Sequence, residues 1–382
     1  MLKYTRGFMI EIKEVKTSKQ IKDFITFPTK LYKNCPYYVP QFYRDEKKLF
    51  TKNNIYRNVA KHKFFLAYKN NKLVGRIQGI IQLQYNEMHN EKRIRFGRFD
   101  CINDKEVSKA LLDAVTNYGK SENMDTLCGP LNYTDADREG VLIDGFNELS
   151  TLFESYNYPY YLELLEDYGL EKEVDWLEFS LTKPKEIPDK LNRIIEKSFK
   201  VHKLHLAPLN ISKRKYLKKY GLPAMNVLNE AYKDLYGVIP LNDQMKKQTL
   251  KQASLIIKKD FLPIILDEND KVVGFGLSMP SITKALVGTT GKLSNPKTLF
   301  KILKCLKKTD GAELLLIGLL PQYKRLGINS IFIYQMLDAF VSKKLNFYET
   351  NLNLETNTAV MSQWKWFDSR QHKKRRCLVK KI

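Results

Sequence analysis

The segment Leu314-Leu-Leu-Ile-Gly-Leu-Leu-Pro-Gln-Tyr-Lys-Arg-Leu-Gly-Ile-Asn-Ser330 decides how this chain can fold. Its first residues form an apolar run that is typical of a buried strand, and Pro321 ends that run. Beyond Gly327, a helix is predicted over Ile328–Val341, because apolar residues recur on one face at steps of three: Ile331, Tyr334, Leu337 and Phe340. Backbone N–H groups at the start of a helix, approached through a glycine, suit a phosphate group. The segment therefore predicts a phosphate-binding turn between a strand and a helix.

This turn resembles the acetyl-CoA loop of the GNAT superfamily of N-acyltransferases, in which a strand runs through R/Q-x-x-G-x-G/A into a helix. Lys324 takes the R/Q position, Gly327 is the first glycine, and Asn329 stands where a second glycine or alanine is usual. Farther on, the segment 355–359 resembles the Asn-led start of the superfamily's last helix. The resemblance implies acetyl-CoA, or another acyl-CoA, as co-substrate. It assigns cofactor binding to Leu319, Leu320, Lys324, Arg325, Leu326, Gly327, Ile328, Asn329, Ser330 and Asn357.

The resemblance does not name a catalytic residue. In the superfamily, a tyrosine in the last helix can protonate the leaving thiolate, but here Trp364 stands at roughly that place. Tryptophan is not an acid, so we interpret Trp364 and its neighbour Trp366 as packing residues. Glu349 lies on the adjoining predicted strand, and the sequence gives it no role.

The pattern around the turn occurs twice in the chain. A hairpin at Phe64–Ile77 turns at Asn70-Asn71, and a second one at Leu262–Phe275 turns at Asn269-Asp270, residues that tolerate positive φ. Each is followed in the same order by further predicted elements: a strand, a helix and a strand, at 94–99, 105–118 and 126–131 and again at 313–320, 328–341 and 346–354. A strand–helix–strand order predicts a parallel pair.

The fold class predicted from this repeat is α/β, with two GNAT-like lobes in tandem, each a mixed β-sheet flanked by helices. Two prolines and several charged residues at 182–188 read as a linker. We therefore predict an N-terminal lobe at residues 9–183 and a C-terminal lobe with the acyl-CoA loop at residues 189–382, preceded by an N-terminal arm at 1–8.

The first lobe has no glycine at the corresponding turn, and Asp100, Asp104 and Glu106 crowd the helix start, where they would repel a pyrophosphate. A long polar turn at 129–140 leaves the end of a strand instead, which is where open α/β sheets gather ligands. The N-terminal lobe is therefore predicted to be a structural or substrate-binding partner. Its candidate substrate-binding residues are Asn132, Tyr133, Asp135 and Arg138.

The distribution of charged residues differs between the two halves of the chain and indicates a class of ligand. Residues 191–382 contain 35 Lys and Arg against 14 Asp and Glu, a net charge of +21, whereas residues 1–190 reach only +2. This asymmetry favours a polyanionic ligand, either a phosphorylated cofactor or nucleic acid. The basic run His372–Arg376 reads as a solvated face at a turn into a last strand.

Other sites are predicted to be missing. The five cysteines are scattered and odd in number, so we expect no disulfide framework and a cytoplasmic location. The five histidines lack carboxylates or cysteines at ligand spacing, so no metal is expected. No apolar run is long enough to span a bilayer, and a membrane is not expected as a partner.

Three functional hypotheses follow. The leading one is transfer of an acyl group, acetyl first of all, from acyl-CoA to a small-molecule or peptide amine, with the thioester held near Leu319 and Leu320. The second is a tandem-GNAT transferase that takes its group from aminoacyl-tRNA, which the basic half would bind. The third is a catalytically degenerate scaffold or nucleic-acid-binding protein.

Overall fold

A computed structural model of the chain describes residues 10–135, 137–184 and 189–382. The arm at 1–8, the residue Met9 and most of the linker, residues 185–188, lie outside the described residues. The helices are α1 Ser18–Leu31, α2 Tyr43–Lys48, α3 Leu83–His89, α4 Lys105–Ser121, α5 Tyr160–Asp167, α6 Asp189–Val201, α7 Lys213–Tyr232, α8 Asp243–Ile256, α9 Thr283–Leu286, α10 Pro296–Lys307, α11 Ser330–Ser342 and α12 Thr358–Met361. The strands are β1 Ile10–Glu14, β2 Ala60–Lys69, β3 Lys72–Gln82, β4 Arg93–Cys101, β5 Thr126–Gly129, β6 Val141–Asp144, β7 Glu171–Thr182, β8 His205–Leu206, β9 Ile264–Leu266, β10 Val272–Pro280, β11 Gly311–Leu319, β12 Phe347–Thr350, β13 Asn353–Leu354 and β14 Asp368–Lys381.

The chain forms two compact units. Unit 1 contains the described residues up to Trp176, together with Thr283–Lys301 and Lys373–Ile382, and unit 2 contains Leu177–Ile282 and Ile302–His372. Two segments of the predicted C-terminal lobe thus pack within unit 1. The division into lobes at residues 183–189 stays a prediction.

Unit 1 is built on a sheet with the strand order β1-β2-β3-β4-β5-β14, and β6 pairs with β14 on the side. Helix α4 packs on this sheet through Val107, Leu111 and Val115, which are fully buried. Asp104 begins the helix by accepting hydrogen bonds from the N–H groups of Glu106 and Val107, as expected of an aspartate at that position.

Unit 2 is built on a sheet with the strand order β7-β12-β11-β10-β9-β8. Helix α11 covers β11 and β12, and its residues Ile331, Leu337 and Phe340 are buried as the spacing predicts, whereas Tyr334 is exposed. Helix α7 packs near β10 and supplies Tyr216 and Tyr220 to a second apolar cluster.

The repeated order of hairpin, strand, helix and strand that the sequence predicts is confirmed in both units. Asn70 and Asn71 both have positive φ in the turn between β2 and β3, and Asp270 has positive φ between β9 and β10. Strands β4 and β5 are parallel, as are β11 and β12. The two-lobed mixed α/β fold class is therefore confirmed.

Each parallel pair opens partway along its length. Pairing of β11 with β12 ends at Leu314 and Thr350, and β11 continues to Leu319 paired with β10 only. A bulge in the pairing of β10 with β11 lies beside this opening, between Leu277 and Ser278, and bulges commonly redirect side chains at sites. The gap in unit 2 lies directly before the predicted phosphate-binding turn.

The interpretation of the basic run His372–Arg376 as a solvated face is wrong. The run lies within β14, and the side chains of Lys373 and Arg375 are fully buried. Both cations lie near the buried carboxylate of Glu154, which makes their burial possible.

No helix in the described part of the chain is both long and apolar enough to cross a lipid bilayer.

Candidate functional site

The turn between β11 and α11 has a backbone feature that is common in anion-binding loops. A short 3-10 turn at Pro321–Tyr323 follows the strand, and two residues in the loop then take positive φ, Arg325 at 65° and Gly327 at 77°. Residues in alternating backbone conformations turn successive N–H groups toward one point, which forms a concavity for an anion.

The N–H groups of this loop are available. None of the residues that the structure describes accepts a hydrogen bond from the backbone N–H of the five loop residues Arg325, Leu326, Gly327, Ile328 and Asn329. The loop leads into the first turn of the 13-residue helix α11, whose dipole favours a negative charge there. Five consecutive unpaired donors at a helix start can bind a phosphate or pyrophosphate group.

The side chains around the loop leave its outer face open. Lys324, Arg325 and Leu326 are exposed, and Ile328 is buried beneath them. Helix α6 supports the inner side, where Ser198 donates a hydrogen bond of 3.0 Å to the Leu326 carbonyl. A Cβ added to Gly327 would lie 3.1 Å from Ile194, so a larger residue would disturb both the turn and its support.

Asn329, which stands where the motif usually has a second glycine or alanine, does not take a left-handed conformation. Its φ is −57° and its ψ is −22°, so it already has helical geometry directly before Ser330. Its side-chain oxygen Oδ1 is buried and has no hydrogen-bond partner among the described residues. An asparagine is therefore compatible with the loop backbone.

At the end of β11, directly before the loop, some main-chain groups already form hydrogen bonds. Leu319 pairs with Gly274 of β10, and the Leu320 N–H donates to the Val273 carbonyl at 2.9 Å. Two residues back, the hydroxyl of Tyr232 lies 3.4 Å from the Ile317 nitrogen and 3.3 Å from the Ile317 oxygen. A side-chain hydroxyl thus satisfies main-chain groups of β11 beyond the end of its pairing with β12, where an extended ligand could pair instead.

The last helix has a structural role at its first residue. Asn357 accepts a weak hydrogen bond of 3.4 Å from the Val360 N–H and so begins α12. Trp364 is buried in the apolar cluster of unit 2, in agreement with its interpretation as a packing residue. The assignment of Asn357, and of the nine residues from Leu319 to Ser330, to cofactor binding stays a prediction.

A group of ionisable side chains, two buried and one half-buried, lies beside the opening of β11 and β12. Glu178, Glu349 and His372 place their donor and acceptor atoms within 4.8 Å of one another. His372 Nε2 lies 3.4 Å from Glu349 Oε1, and Glu349 is one residue before the last paired rung of β12. An imidazole held beside a carboxylate can accept and release protons. We name these three residues the EEH cluster.

The sequence could not have located the EEH cluster, because its members come from β7, β12 and β14, nearly two hundred residues apart. Only Glu349 stood out, as a carboxylate on the predicted strand. The same donor set could also bind a divalent cation, although the sequence predicted no metal.

The four residues predicted to bind substrate in unit 1 take different positions. Asn132 and Arg138 line a polar cleft, whose other charged residues are Glu46, Arg76, Arg98 and Asp100. Asn132 is held by Arg98, which donates to its side-chain oxygen at 2.6 Å, and by its own bond to the Arg138 carbonyl. Tyr133 is fully buried, accepts from Gln78 and stacks on Tyr56. Neither Tyr133 nor Asp135 lines this cleft.

The charges of the cleft are paired with one another. Arg98 forms a buried ion pair with Glu46, and burial, which alone would raise the pKa of Glu46, is outweighed by Arg98, so that this pKa is lowered. Arg138 donates to the carbonyls of Leu152 and Val39. Two of the predicted substrate-binding residues thus have structural contacts of their own, and their substrate role stays a prediction.

Ionisation of the Asp135 carboxyl is expected to lower the stability of the folded protein. Burial raises its pKa to about 6, so between the ordinary value of 3.8 and about 6 the folded state binds more protons than the unfolded state. Stability therefore falls as pH rises through this window. We expect Asp135→Asn to stabilise the protein by up to about 2 kcal/mol at pH 7 and by nothing near pH 3.5, as measured by thermal unfolding across pH.

The matched control is Asp144→Asn at an exposed carboxylate, for which we expect a change within about 0.5 kcal/mol at all pH values. If Asp135→Asn stabilises unit 1 but abolishes turnover, the predicted substrate role gains support. If it destabilises the protein at pH 7, the charge on Asp135 is favourable and our reading of its surroundings is wrong.

A solved structure of another protein superposes on nearly the whole chain. A tandem GNAT protein from the clavulanic acid biosynthesis pathway, solved without AcCoA, superposes with a TM-score of 0.55 over 98% of both chains, at 9% identity. The fold is that of a tandem GNAT protein. No family model matches the chain.

Two curated bacterial proteins are similar to nearly the whole chain. Protein YghO of Escherichia coli (strain K12) is 23% identical over 369 residues, which cover 95% of this chain and 93% of YghO. The bacterial ceramide synthase of Caulobacter vibrioides (strain NA1000 / CB15N) is 23% identical over 359 residues, 91% of each chain. Both proteins are therefore similar to this chain over nearly their whole length.

Within its tandem GNAT fold, the chain has different residues after each parallel pair. In unit 1, the start of α4 is occupied by Asp104, which caps the helix and pairs with Lys69. In unit 2, the start of α11 has five unpaired N–H groups and no carboxylate. The two units have the same order of elements, but only the loop of unit 2 has the features of an anion site.

Proposed function

We propose that this protein is an acyl-CoA-dependent N-acyltransferase whose co-substrate binds the loop of unit 2. The observation that carries this proposal is the run of five unpaired N–H groups at residues 325–329, at the start of α11. A CoA pyrophosphate is a dianionic group, and unpaired N–H donors at the start of a helix would suit it. The tandem GNAT fold supports the same reaction class, since the neighbouring structure is described by its relation to AcCoA.

The proposed reaction is a direct transfer. The thioester would lie along β11 beyond Leu314, where Tyr232 now bonds the main chain of Ile317. The amine nitrogen attacks the thioester carbon, the C–S bond breaks, and an amide forms. The proton lost by the amine goes to the EEH cluster, and the CoA thiolate is released after protonation by the cluster or by water. Positioning and stabilisation of the developing oxyanion supply most of the rate.

For the acyl group and the amine we propose a general class of substrates and, within it, a specific pair to test first. Acetyl-CoA and a small-molecule or peptide amine remain the general case. The Caulobacter relative is named a ceramide synthase, and a ceramide is an N-acylated long-chain amine. Because the similarity covers 91% of both chains, we propose a long-chain acyl-CoA and a long-chain amine as the first substrates to test.

Two further proposals concern organisation. We propose that the lobes at residues 9–183 and 189–382 correspond to the two copies of the repeat, and that the protein acts in the cytoplasm, where its scattered cysteines remain reduced.

The first experiment is calorimetric titration of the protein with acetyl-CoA and with palmitoyl-CoA below its micelle concentration. We expect binding that Gly327→Glu weakens at least about 100-fold, because the new carboxylate would lie against the pyrophosphate. The φ of 77° adds strain to any side chain at this position.

Gly288→Glu is the matched control. Gly288 also has a positive φ, 69°, and a Cβ there would have no heavy atom within 4 Å, so the same substitution should leave affinity unchanged. Tight binding to the Gly327→Glu protein would remove the loop from the proposal. If the wild-type protein binds neither thioester, the acyl-CoA reaction is wrong and aminoacyl-tRNA becomes the donor to test.

A further inference from the structure

Helix α10 presents large apolar side chains to solvent. Phe300 is 70% exposed, Leu303 is 50% exposed and Leu299 is 42% exposed. Leu299 and Leu303 are four residues apart and therefore lie on the same face of the helix, and Phe300 lies beside them. A cluster of three such residues on one helix marks an interaction surface rather than scattered exposure.

The opposite face of the same helix is buried. Thr298 is 4% exposed and Ile302 is 5% exposed, so α10 is already anchored through these residues. The exposed apolar residues are therefore not needed for packing within the protein. We call Leu299, Phe300 and Leu303 the apolar patch.

The apolar patch lies in a strongly basic segment. Between residues 292 and 308 there are six lysines and no carboxylate: Lys292, Lys297, Lys301, Lys304, Lys307 and Lys308. None of the six forms an ion pair with a residue in the described part of the chain. Lys292 lies over the ring of Tyr43 at 4.8 Å, and the segment combines apolar side chains with positive charges that no carboxylate of the described residues neutralises.

We propose that α10 docks this protein on an anionic lipid bilayer as an interfacial helix. A helix that lies in the membrane surface inserts its apolar side chains between the acyl chains while its lysines contact anionic headgroups. At 12 residues, α10 is about 18 Å long, too short to span a bilayer but suited to lying in its surface. The sequence predicted no membrane partner because no apolar run is long enough to span a bilayer, but docking on the membrane surface requires no such run.

Charge complementarity favours an anionic bilayer over a second copy of the chain or a nucleic acid as the partner of the apolar patch. A second copy of the chain would bring another patch with six lysines against the first, and like charges would repel. Nucleic acid would pair with the lysines but would leave Phe300 and both leucines exposed to water. An anionic bilayer satisfies the apolar side chains and the lysines together.

Docking would place the active protein beside membrane-dissolved substrates. A long-chain amine partitions into a bilayer, so a surface-bound transferase would meet it there. The proposal stands on α10 alone and does not depend on the proposed reaction, because vesicle binding is measured without any CoA.

The test is flotation of the full-length protein with vesicles of phosphatidylcholine containing one-third phosphatidylglycerol, and with pure phosphatidylcholine. We expect binding to the anionic vesicles only. The double variant Phe300→Ser/Leu303→Ser should bind at least about 10-fold more weakly, and Lys301→Gln/Lys304→Gln should do the same and make binding less sensitive to salt. Val341→Ser, at a residue 58% exposed on another helix, is the control and should bind as the wild type does.

Several outcomes would overturn the proposal. One is wild-type protein that fails to float with anionic vesicles. Another is flotation that survives Phe300→Ser/Leu303→Ser, since that would be charge attraction alone. A third is a concentration-dependent dimer in sedimentation that the same variant abolishes without vesicle binding, which would make the patch a contact between copies. All the substituted side chains are exposed, so the variants should fold, and unchanged circular dichroism would verify this.

Discussion

Replacing His372 by asparagine is expected to lower kcat at least about 100-fold while leaving acyl-CoA affinity unchanged, if the EEH cluster takes the proton of the attacking amine. His372 Nε2 lies 3.4 Å from Glu349 Oε1, beside the point where β11 and β12 separate. Asparagine keeps part of the polarity of imidazole but cannot accept the proton. The measurement is steady-state kinetics with a thiol-detection assay, together with the calorimetric titration of acyl-CoA.

The control for this prediction is His205→Asn, which removes an exposed imidazole that pairs with Asp270 and should leave kcat unchanged. A merely structural role of His372 would reduce thermal stability and acyl-CoA affinity together, whereas an acid–base role should change the pH profile of kcat. Restored turnover at high pH in the variant would support proton transfer. Loss of wild-type activity with a chelator would instead assign Glu178, Glu349 and His372 to a metal.

Much of the fold could be predicted because its signals are local. Asn70-Asn71 sets a tight turn through positive φ whatever surrounds it, and the apolar spacing in α4 and α11 is visible within each segment. The repeat then fixes the order of the elements, and a strand–helix–strand order yields a parallel pair. For the same reason the loop at Gly327 was recognisable, since it lies within seventeen consecutive residues.

What could not be predicted depends on contacts between distant segments. The sequence contains a run of five basic residues, and nothing near it indicates that alternate members point to a buried carboxylate. Asn132 and Arg138 were selected for their chemistry, but the structure shows both occupied by main-chain or Arg98 contacts. The EEH cluster exists only once three strands have been placed side by side. Ionisable residues therefore become interpretable only when their partners are known.

The buried carboxylate of Glu154 is a partner of two buried cations of β14 in unit 1. Its Oε2 lies 3.1 Å from Lys373 Nζ and 3.8 Å from Arg375 Nη2, and all three side chains are 0–1% exposed. Lys373 also donates to the Leu149 carbonyl, and Arg375 to the Ser155 carbonyl. These bonds satisfy donors, and the Glu154 carboxylate supplies negative charge to both buried cations.

We therefore expect Glu154→Gln to lower the free energy of unfolding of unit 1 by about 3–5 kcal/mol, since it keeps the shape but removes a buried negative charge that lies beside both cations. Trp176 is the single tryptophan of unit 1, so its fluorescence in a Trp364→Phe/Trp366→Phe background reports urea unfolding of that unit. The matched control is Glu163→Gln, whose carboxylate is 67% exposed in its pair with Lys105 and should contribute less than about 0.5 kcal/mol. A loss below about 1 kcal/mol in Glu154→Gln would mean that other groups offset the charges of Lys373 and Arg375, and Glu154 would then not be what makes their burial possible.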